Sequence, residues 1–291
     1  MSRVLVVNPF ATGVTEQRLA AVRSALPGET VVRVTTRRGQ ATEIAREVSS
    51  AVEAVYVYGG DGTFNEVLNG ADARTPLGFI PGGGTSVLPR ALGLPRDPVA
   101  AARRVAAGVE RRIGLGRVNG HRFGFGAGIG LDAEIVRGVD ALGRKPDGRR
   151  PGDTAFGWTG VQTLARHRFR LEPMLEVKGH GRAALALVAN CSAYSYAWRF
   201  PLQVAPEASF EGALDVVAPA RVGALSLPRV LTYAFTGSAW TRPRDIVYLH
   251  DADRVEIACD RPLPLQADGE DLGDVEEAVF EAERDAVSVL V

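Results

Sequence analysis

Two glycine clusters constrain this chain more than any other feature. Gly59-Gly60-Asp61-Gly62 follows the apolar run Val55 to Tyr58, and Pro81-Gly82-Gly83-Gly84 follows the run Leu77 to Ile80. Short apolar runs bounded by glycine read as strands buried on both faces. Upstream, β-type runs at Val4 to Asn8 and Val31 to Thr35 alternate with helical stretches at Val14 to Leu26 and Ala41 to Val48. A further helix carries Phe64, Val67 and Leu68 on one face. This rhythm predicts parallel strands with helices packed over them. In such a sheet ligands bind beyond the carboxyl ends of the strands, which is where both clusters lie.

Successive backbone N–H groups in a glycine turn form an anion-binding concavity, because glycine reaches positive φ and puts no Cβ between backbone and phosphate. A helix beginning at Thr63 adds its positive end at the same spot. Asp61 among these donors makes sense beside a polyphosphate only if a divalent cation or a proton transfer offsets the repulsion; taken alone it reads equally as a turn residue. Other phosphate signatures are absent. There is no Gly-Lys pair for a Walker A loop, no protein-kinase set and no Gly-x-Ser-x-Gly. Gly124, Gly126, Gly128 and Gly130 recur at every second position, the spacing of a strand with one bare face that a ligand or another backbone can approach closely.

Composition sets the outer bounds. With 291 residues, 46% hydrophobic and 23% charged, the chain suits two packed domains. It has no apolar run of about 18 residues, so no transmembrane segment is expected, and the N-terminal Val4 to Val7 reads as a strand rather than a signal peptide. A cytoplasmic protein follows as the expectation. Equal numbers of cations and acids, 34 of each, argue against nucleic acid as partner. Cys191 and Cys259 have no metal or disulfide spacing and read as small buried hydrophobes, and the four histidines receive no role.

From about residue 113 the pattern turns to period-two strands with turns at Asn119-Gly120 and Lys178 to Gly181. Helices interrupt it near Asp153 to His167 and near Ala224 to Phe235. The expected domains are 1–116, α/β, with 278–291 returning to it, and 117–277, rich in β. Gly143 to Asp153, with Arg144, Lys145, Arg149 and Arg150 among glycines and prolines, reads as a mobile solvated connector ahead of a contact with phosphate or anionic lipid. Arg221 to Arg242 mixes apolar residues with flanking arginines, and a core helix is preferred there over an interfacial one.

Gly59-Gly60-Asp61-Gly62-Thr63-Phe64-Asn65-Glu66-Val67-Leu68-Asn69-Gly70 resembles the signature of the diacylglycerol kinase catalytic family, which includes sphingosine, ceramide and many bacterial lipid kinases. NAD kinases and phosphofructokinases share only its Gly-Gly-Asp-Gly core. Further segments are similar in the family's order: Val7-Asn8-Pro9 with Thr12-Gly13, Pro81 to Thr85 with Arg90, Gly126 to Ala133, Ala205 to Ala208 with Leu214-Asp215, and Gln266 to Glu270. The resemblance spans nearly the whole chain. It implies an α/β nucleotide-binding domain of the phosphofructokinase/NAD-kinase-like fold, a mostly-β sandwich-like C-terminal domain, and ATP in the cleft between them.

By the resemblance, Asn8, Gly59, Gly60, Gly62, Thr63, Glu66, Gly83, Gly84 and Thr85 line the nucleotide site, and Asp61 holds the Mg²⁺ of MgATP. Asp215 is a second metal candidate. Glu270 would be the base toward the acceptor hydroxyl and Asp132 a substrate-orienting or catalytic carboxylate, with Asp61 and Glu270 able to exchange roles. Three departures bear on affinity and acceptor shape: Ser86 where relatives have Asn, Gln40 where His is common, and a Tyr194-to-Arg199 stretch without paired glycines. The implied activity is an ATP-dependent lipid kinase transferring the γ-phosphoryl group to the hydroxyl of diacylglycerol or a similar lipid. It would meet its lipid substrate peripherally at the inner face of a membrane, with a homodimer left open. The alternatives are a soluble-metabolite kinase of NAD type and a catalytically weak lipid- or nucleotide-binding protein.

Overall fold

The computed structural model describes residues 2–143, 151–197, 200–238 and 245–291. The connector at 144–150, Trp198 and Arg199, and residues 239–244 of the Arg221-to-Arg242 stretch lie outside the described residues. The chain forms two compact units, residues 2–115 with 284–291 and, second, residues within 116–283.

The first unit runs β1 (Arg3–Val7), α1 (Glu16–Ala25), β2 (Thr30–Val34), α2 (Gln40–Val48), β3 (Ala54–Gly59), α3 (Asp61–Leu68), β4 (Leu77–Pro81), α4 (Val87–Ala91) and α5 (Pro98–Ala106). Its strands lie parallel in the order β2-β1-β3-β4, and the last residues of the chain add a strand beside β4, Val289 opposite Leu77. Every residue of β3 and β4 is buried, as continuous apolar runs must be when helices cover both faces. Phe64 of α3 meets Phe79 of β4 edge to face at 5.3 Å between ring centroids. Helix starts follow local chemistry: Thr15 accepts from the Arg18 N–H to cap α1, and Asp97 accepts from the Ala100 N–H to cap α5.

β5 (Glu110–Val118) leads into the second unit: β6 (His121–Phe123), β7 (Gly126–Ile129), α6 (Leu131–Ala141), α7 (Asp153–Arg166), β8 (Arg170–Leu171), β9 (Leu175–Val177), β10 (Gly181–Ala183), β11 (Ala186–Ala189), β12 (Ser195–Ala197), β13 (Phe200–Leu202), β14 (Leu214–Pro219), β15 (Val222–Gly223), α8 (Leu227–Thr236), β16 (Ile246–Ala252), β17 (Arg254–Ala267) and β18 (Glu270–Leu290). The main sheet is antiparallel in the order β16-β14-β11-β7-β17-β18, with β9 also on β17. Ala127, Val188, Val216, Ile257 and Phe280 are among the buried residues of its core.

The turn joining β17 to β18 is Asp268-Gly269, with φ of 50° and 76°, the pair of positive values a two-residue type I′ hairpin demands. Helix α6 departs from the sequence expectation, which placed only two helices in this half. Ala133, Val136 and Val139 form its buried stripe, and Gly138 lets α7 close in, since a Cβ there would lie 2.7 Å from Thr159 Cγ2.

Candidate active site

In the first unit the loops after β1, β3 and β4 are tied together at the carboxyl ends of their strands. Gly13 N–H donates to the Gly82 carbonyl at 2.7 Å, Gly82 N–H to the Gly59 carbonyl at 2.6 Å, and the Tyr58 hydroxyl to the Gly13 carbonyl at 3.2 Å. Asn8 Nδ2 donates to Thr63 Oγ1 at 2.8 Å while Asn8 Oδ1 accepts from the Phe10 N–H. The glycines are needed for proximity. A Cβ on Gly83 would stand 2.9 Å from Gly60 Cα, one on Gly59 would stand 2.8 Å from Thr63 Cβ, and one on Gly13 would stand 2.9 Å from the Gly82 oxygen.

This corrects the expected reason for the motif, because no glycine from Gly59 to Gly62 or from Gly82 to Gly84 has positive φ. Gly60 is extended (φ −103°, ψ −179°), its carbonyl accepts from Thr63 and Phe64, and α3 therefore begins at Asp61 rather than Thr63. Asp61, half-buried in the first turn, takes a long contact of 3.4 Å from the Leu88 N–H. N–H groups at such a helix start have no acceptor four residues back, and the helix presents its positive end there.

Beside them Ser86 is left-handed at φ 50°, 4% exposed, and its Oγ is buried with no hydrogen-bond partner among the described residues. It lies 3.5 Å from where a Gly83 Cβ would be. Gly84 has open space where a Cβ would stand, and Thr85 is half-buried.

The rest of the signature is architectural. Glu66, expected at the nucleotide, accepts from the Gly39 N–H at 2.9 Å with one oxygen and from the Ala41 N–H at 3.0 Å with the other, which caps α2. Gly70 admits α2, for a Cβ there would come within 2.3 Å of the Thr42 carbonyl oxygen. Asn69 Nδ2 donates to the Asn65 carbonyl and side chain at 3.0 and 3.1 Å. Gln40 accepts from the Thr36 N–H and hydroxyl, at 2.6 and 3.0 Å.

In the second unit Asp132 stands in the first turn of α6. Its Oδ2 accepts from the Tyr194 hydroxyl at 2.7 Å and from Gln266 Nε2 at 2.6 Å, and Oδ1 carries no hydrogen bond among the described residues. Burial pushes its carboxyl above the usual range against these two bonds, and burial together with Asp132 holds the Tyr194 hydroxyl well above its ordinary value. The bare face of β7 is filled by a side chain. The Tyr194 ring would be 2.7 Å from a Cβ on Gly126, and Asp132 Oδ2 2.4 Å from one on Gly128.

Gln266 Oε1 in turn accepts from the Gly269 N–H at 2.9 Å. Asp268 does more than turn the hairpin, since its carboxylate accepts from the Gly124, Phe125 and Gly126 N–H groups at 2.6, 3.0 and 3.2 Å and so pins the start of β7. Glu270, half-buried, opens β18 beyond that turn. His121 feels it: burial lowers the imidazole and Glu270 opposes the shift.

Tyr194 and Gln266 are the site members that residue patterns alone did not single out. The available signal was a strand stripped by Gly126 and Gly128, which requires something large opposite it. Asp215, expected as a metal candidate, is 1% exposed and accepts from the Tyr248 hydroxyl at 3.1 Å and the Asp251 N–H at 3.1 Å, with His250 Nδ1 at 2.9 Å. A cation there would have to displace those donors. Cys191 is buried and Cys259 only half-buried, both unpaired, with burial pushing their thiols to about 12 and about 11, so neither is a ready nucleophile.

Residues 2–118 match the family model of the diacylglycerol kinase catalytic domain, and residues 126–291 that of the YegS C-terminal NAD kinase beta sandwich-like domain. A diacylglycerol kinase of Bacillus subtilis (strain 168) is 32% identical over 251 residues, covering 83% of this chain and 79% of that one. One from Staphylococcus carnosus (strain TM300) is 26% identical over 249 residues, 83% of this chain and 78% of that one. In fold, the chain is similar to the crystal structure of a diacylglycerol kinase from Bacillus anthracis str. Sterne, with a TM-score of 0.71 at 20% identity over 99% of this chain and 96% of that one. It also resembles an NAD kinase from Archaeoglobus fulgidus in complex with ATP, with a TM-score of 0.51 at 13% identity over 99% and 93%.

Proposed function

This chain belongs to the diacylglycerol kinase catalytic family, with an α/β unit of the NAD-kinase-like fold and a β-sandwich-like C-terminal domain, and from that premise we propose that it is an ATP- and Mg²⁺-dependent lipid kinase acting on the hydroxyl of diacylglycerol or a similar lipid. The observation that carries the reading is the first unit's apposed glycine loops, with Asp61 at the opening of α3 and the unpartnered Ser86 hydroxyl beside them. A buried hydroxyl without a partner fits a phosphate or ribose oxygen, since buried polar groups are otherwise satisfied.

Among the described residues no three acidic, histidine or cysteine side chains gather around a metal position. A lone Asp61 suits Mg²⁺, which takes one or two carboxylates and completes its shell with phosphate oxygens and water. When bound, the ion neutralises the charge on the phosphates during transfer. The Gly59-to-Thr63 and Gly83-to-Thr85 loops hold the triphosphate, Asn8 fixes Thr63, and Glu66 supports α2 rather than the ligand. In the second unit Tyr194 and Gln266 fix one oxygen of Asp132, so its Oδ1 is left to orient the acceptor hydroxyl. Glu270 is the base that takes the hydroxyl's proton.

Asp61→Asn lowers transfer of labelled phosphate from ATP to a lipid panel by about 10²–10³-fold or more, with the melting temperature unchanged. Undiminished transfer overturns the reading. Product on NAD with none on lipid replaces it with the metabolite-kinase reading, and nucleotide binding without any product replaces it with the binding-protein reading.

A further inference from the structure

Helix α7 of the second unit is built inside out. Thr159 and Thr163 face the interior at 6% and 1% exposure, while Trp158 and Val161 face solvent at 63% and 50%. The inward Thr163 hydroxyl is satisfied within the helix, donating to the Thr159 carbonyl at 2.8 Å. Helix α8 repeats the arrangement: Tyr233 is buried with its hydroxyl on the Val204 carbonyl, whereas Leu231 and Phe235, one turn apart, are about half exposed. A core helix was expected within Arg221 to Arg242, but of the described helix α8 only Tyr233 is buried, and Val222 ahead of it is the other buried apolar residue among the described residues of that stretch.

Between the helices, β8 pairs with β15 so that Arg170 stands opposite Gly223. Phe169 and Leu225 thus leave the same end of that ribbon, exposed by 38% and 100%. Arg168 and Phe169 hold left-handed backbones, φ 53° and 54°, which branched and bulky residues avoid. Half-buried Leu164 and Leu227 pack against a buried cluster that includes Leu171 and Val222, which ties the end of α7, the ribbon and the start of α8 together.

Charge singles out the partner. A cleft of about 300 Å³ is lined by Arg168, Phe169, Arg170, Glu172 and Arg221 among others. Arg170 and Arg221 both pair with Glu172, so two guanidiniums share one carboxylate. Arg166 and Arg168 have no side-chain partner among the described residues, and the nearby Glu134 is taken by His167 at 2.8 Å. The chain as a whole is neutral, so this cationic excess is local. Two copies of such a face would repel each other across a symmetric contact, whereas a surface of phosphates with hydrocarbon beneath complements both its charge and its exposed rings.

We propose that this face docks on an anionic phospholipid bilayer, with Phe169 and Leu225 entering the headgroup–acyl boundary and Arg166, Arg168, Arg170 and Arg221 on the lipid phosphates. The proposal rests on the reading of the acceptor as a lipid, but its test reads binding rather than transfer.

The full chain is sedimented with vesicles of phosphatidylcholine alone or with about 30% phosphatidylglycerol. It partitions about tenfold more strongly onto the anionic vesicles, and raising salt from about 0.1 to about 0.5 M weakens that binding. The double variant F169D/L225D and, separately, R168E lose partition by about tenfold, while transfer to a short-chain water-soluble diacylglycerol stays at the wild-type rate. If the wild type transfers to no lipid yet still partitions this way, the docking surface stands and the kinase reading fails. No wild-type partition, equal binding to both vesicle types, or undiminished binding by the variants overturns the proposal. A dimer in light scattering that these substitutions dissociate also overturns it, in favour of a contact between copies.

Discussion

Ser86 brings folding and binding into opposition at a single side chain. Its left-handed backbone and orphaned hydroxyl destabilise the free protein, and a ligand oxygen would satisfy that hydroxyl. Ser86→Ala therefore keeps or raises the melting temperature while weakening ATP binding by about fivefold, close to 1 kcal/mol, as read by calorimetric titration. A variant that binds ATP as tightly as the wild type removes Ser86 from the site. Asp132 makes the complementary case through pH. Its folded value lies above the ordinary 3.8, so the stability tied to its neutral form is complete below that value and is lost as pH rises through the folded one. The melting temperature of Asp132→Asn relative to wild type should be level at low pH and climb by about 2–4 °C toward pH 8, with activity lost. A difference that is flat in pH contradicts the burial effect. Ser86 and Tyr194 were visible in the sequence as departures from a pattern. The pairing of Tyr194 with Asp132 was not, because a hydrogen bond across 62 residues has no local signature.

At the scale of elements, the twelve residues from Gly59 to Gly70 divide into a ligand-facing start and a structural finish. Glu66→Ala should cost about 1–2 kcal/mol by uncapping α2, with ATP affinity unchanged; a loss of affinity at unchanged stability returns Glu66 to the nucleotide. Strands β1 to β4 and helices α1 to α3 follow the apolar periods that the sequence shows. Helix α6 was not expected, although Ala133, Val136 and Val139 keep helical spacing, because the alternating glycines before it read as a strand ending near Asp132 with no turn into a helix. The glycine clusters were found by position and misread in conformation. What they provide is close approach between loops, and closeness to Gly60 is not a property of Gly83 until the chain has folded.

At the scale of the molecule, β18 serves both units. It begins at Glu270 in the second, and residues 284–291 count with the first, where Val287 and Val289 are fully buried. Ending the chain after Asp285 should therefore unfold the first unit first, seen as loss of amide protection in β3 and β4; intact protection there shows that the unit stands without it.

The sequence by itself determined that strands and helices alternate around two glycine loops, that an acid sits in the first of them, and that the chain turns at Asn119-Gly120. Each of these depends on neighbours within a few residues. Only the tertiary structure decided that Glu66 caps a helix, that Tyr194 fills the face bared by Gly126 and Gly128, and that α7 turns threonines inward and a tryptophan outward. Those outcomes depend on which distant surfaces meet, and burial and hydrogen-bond partners are set by that meeting rather than by residue type.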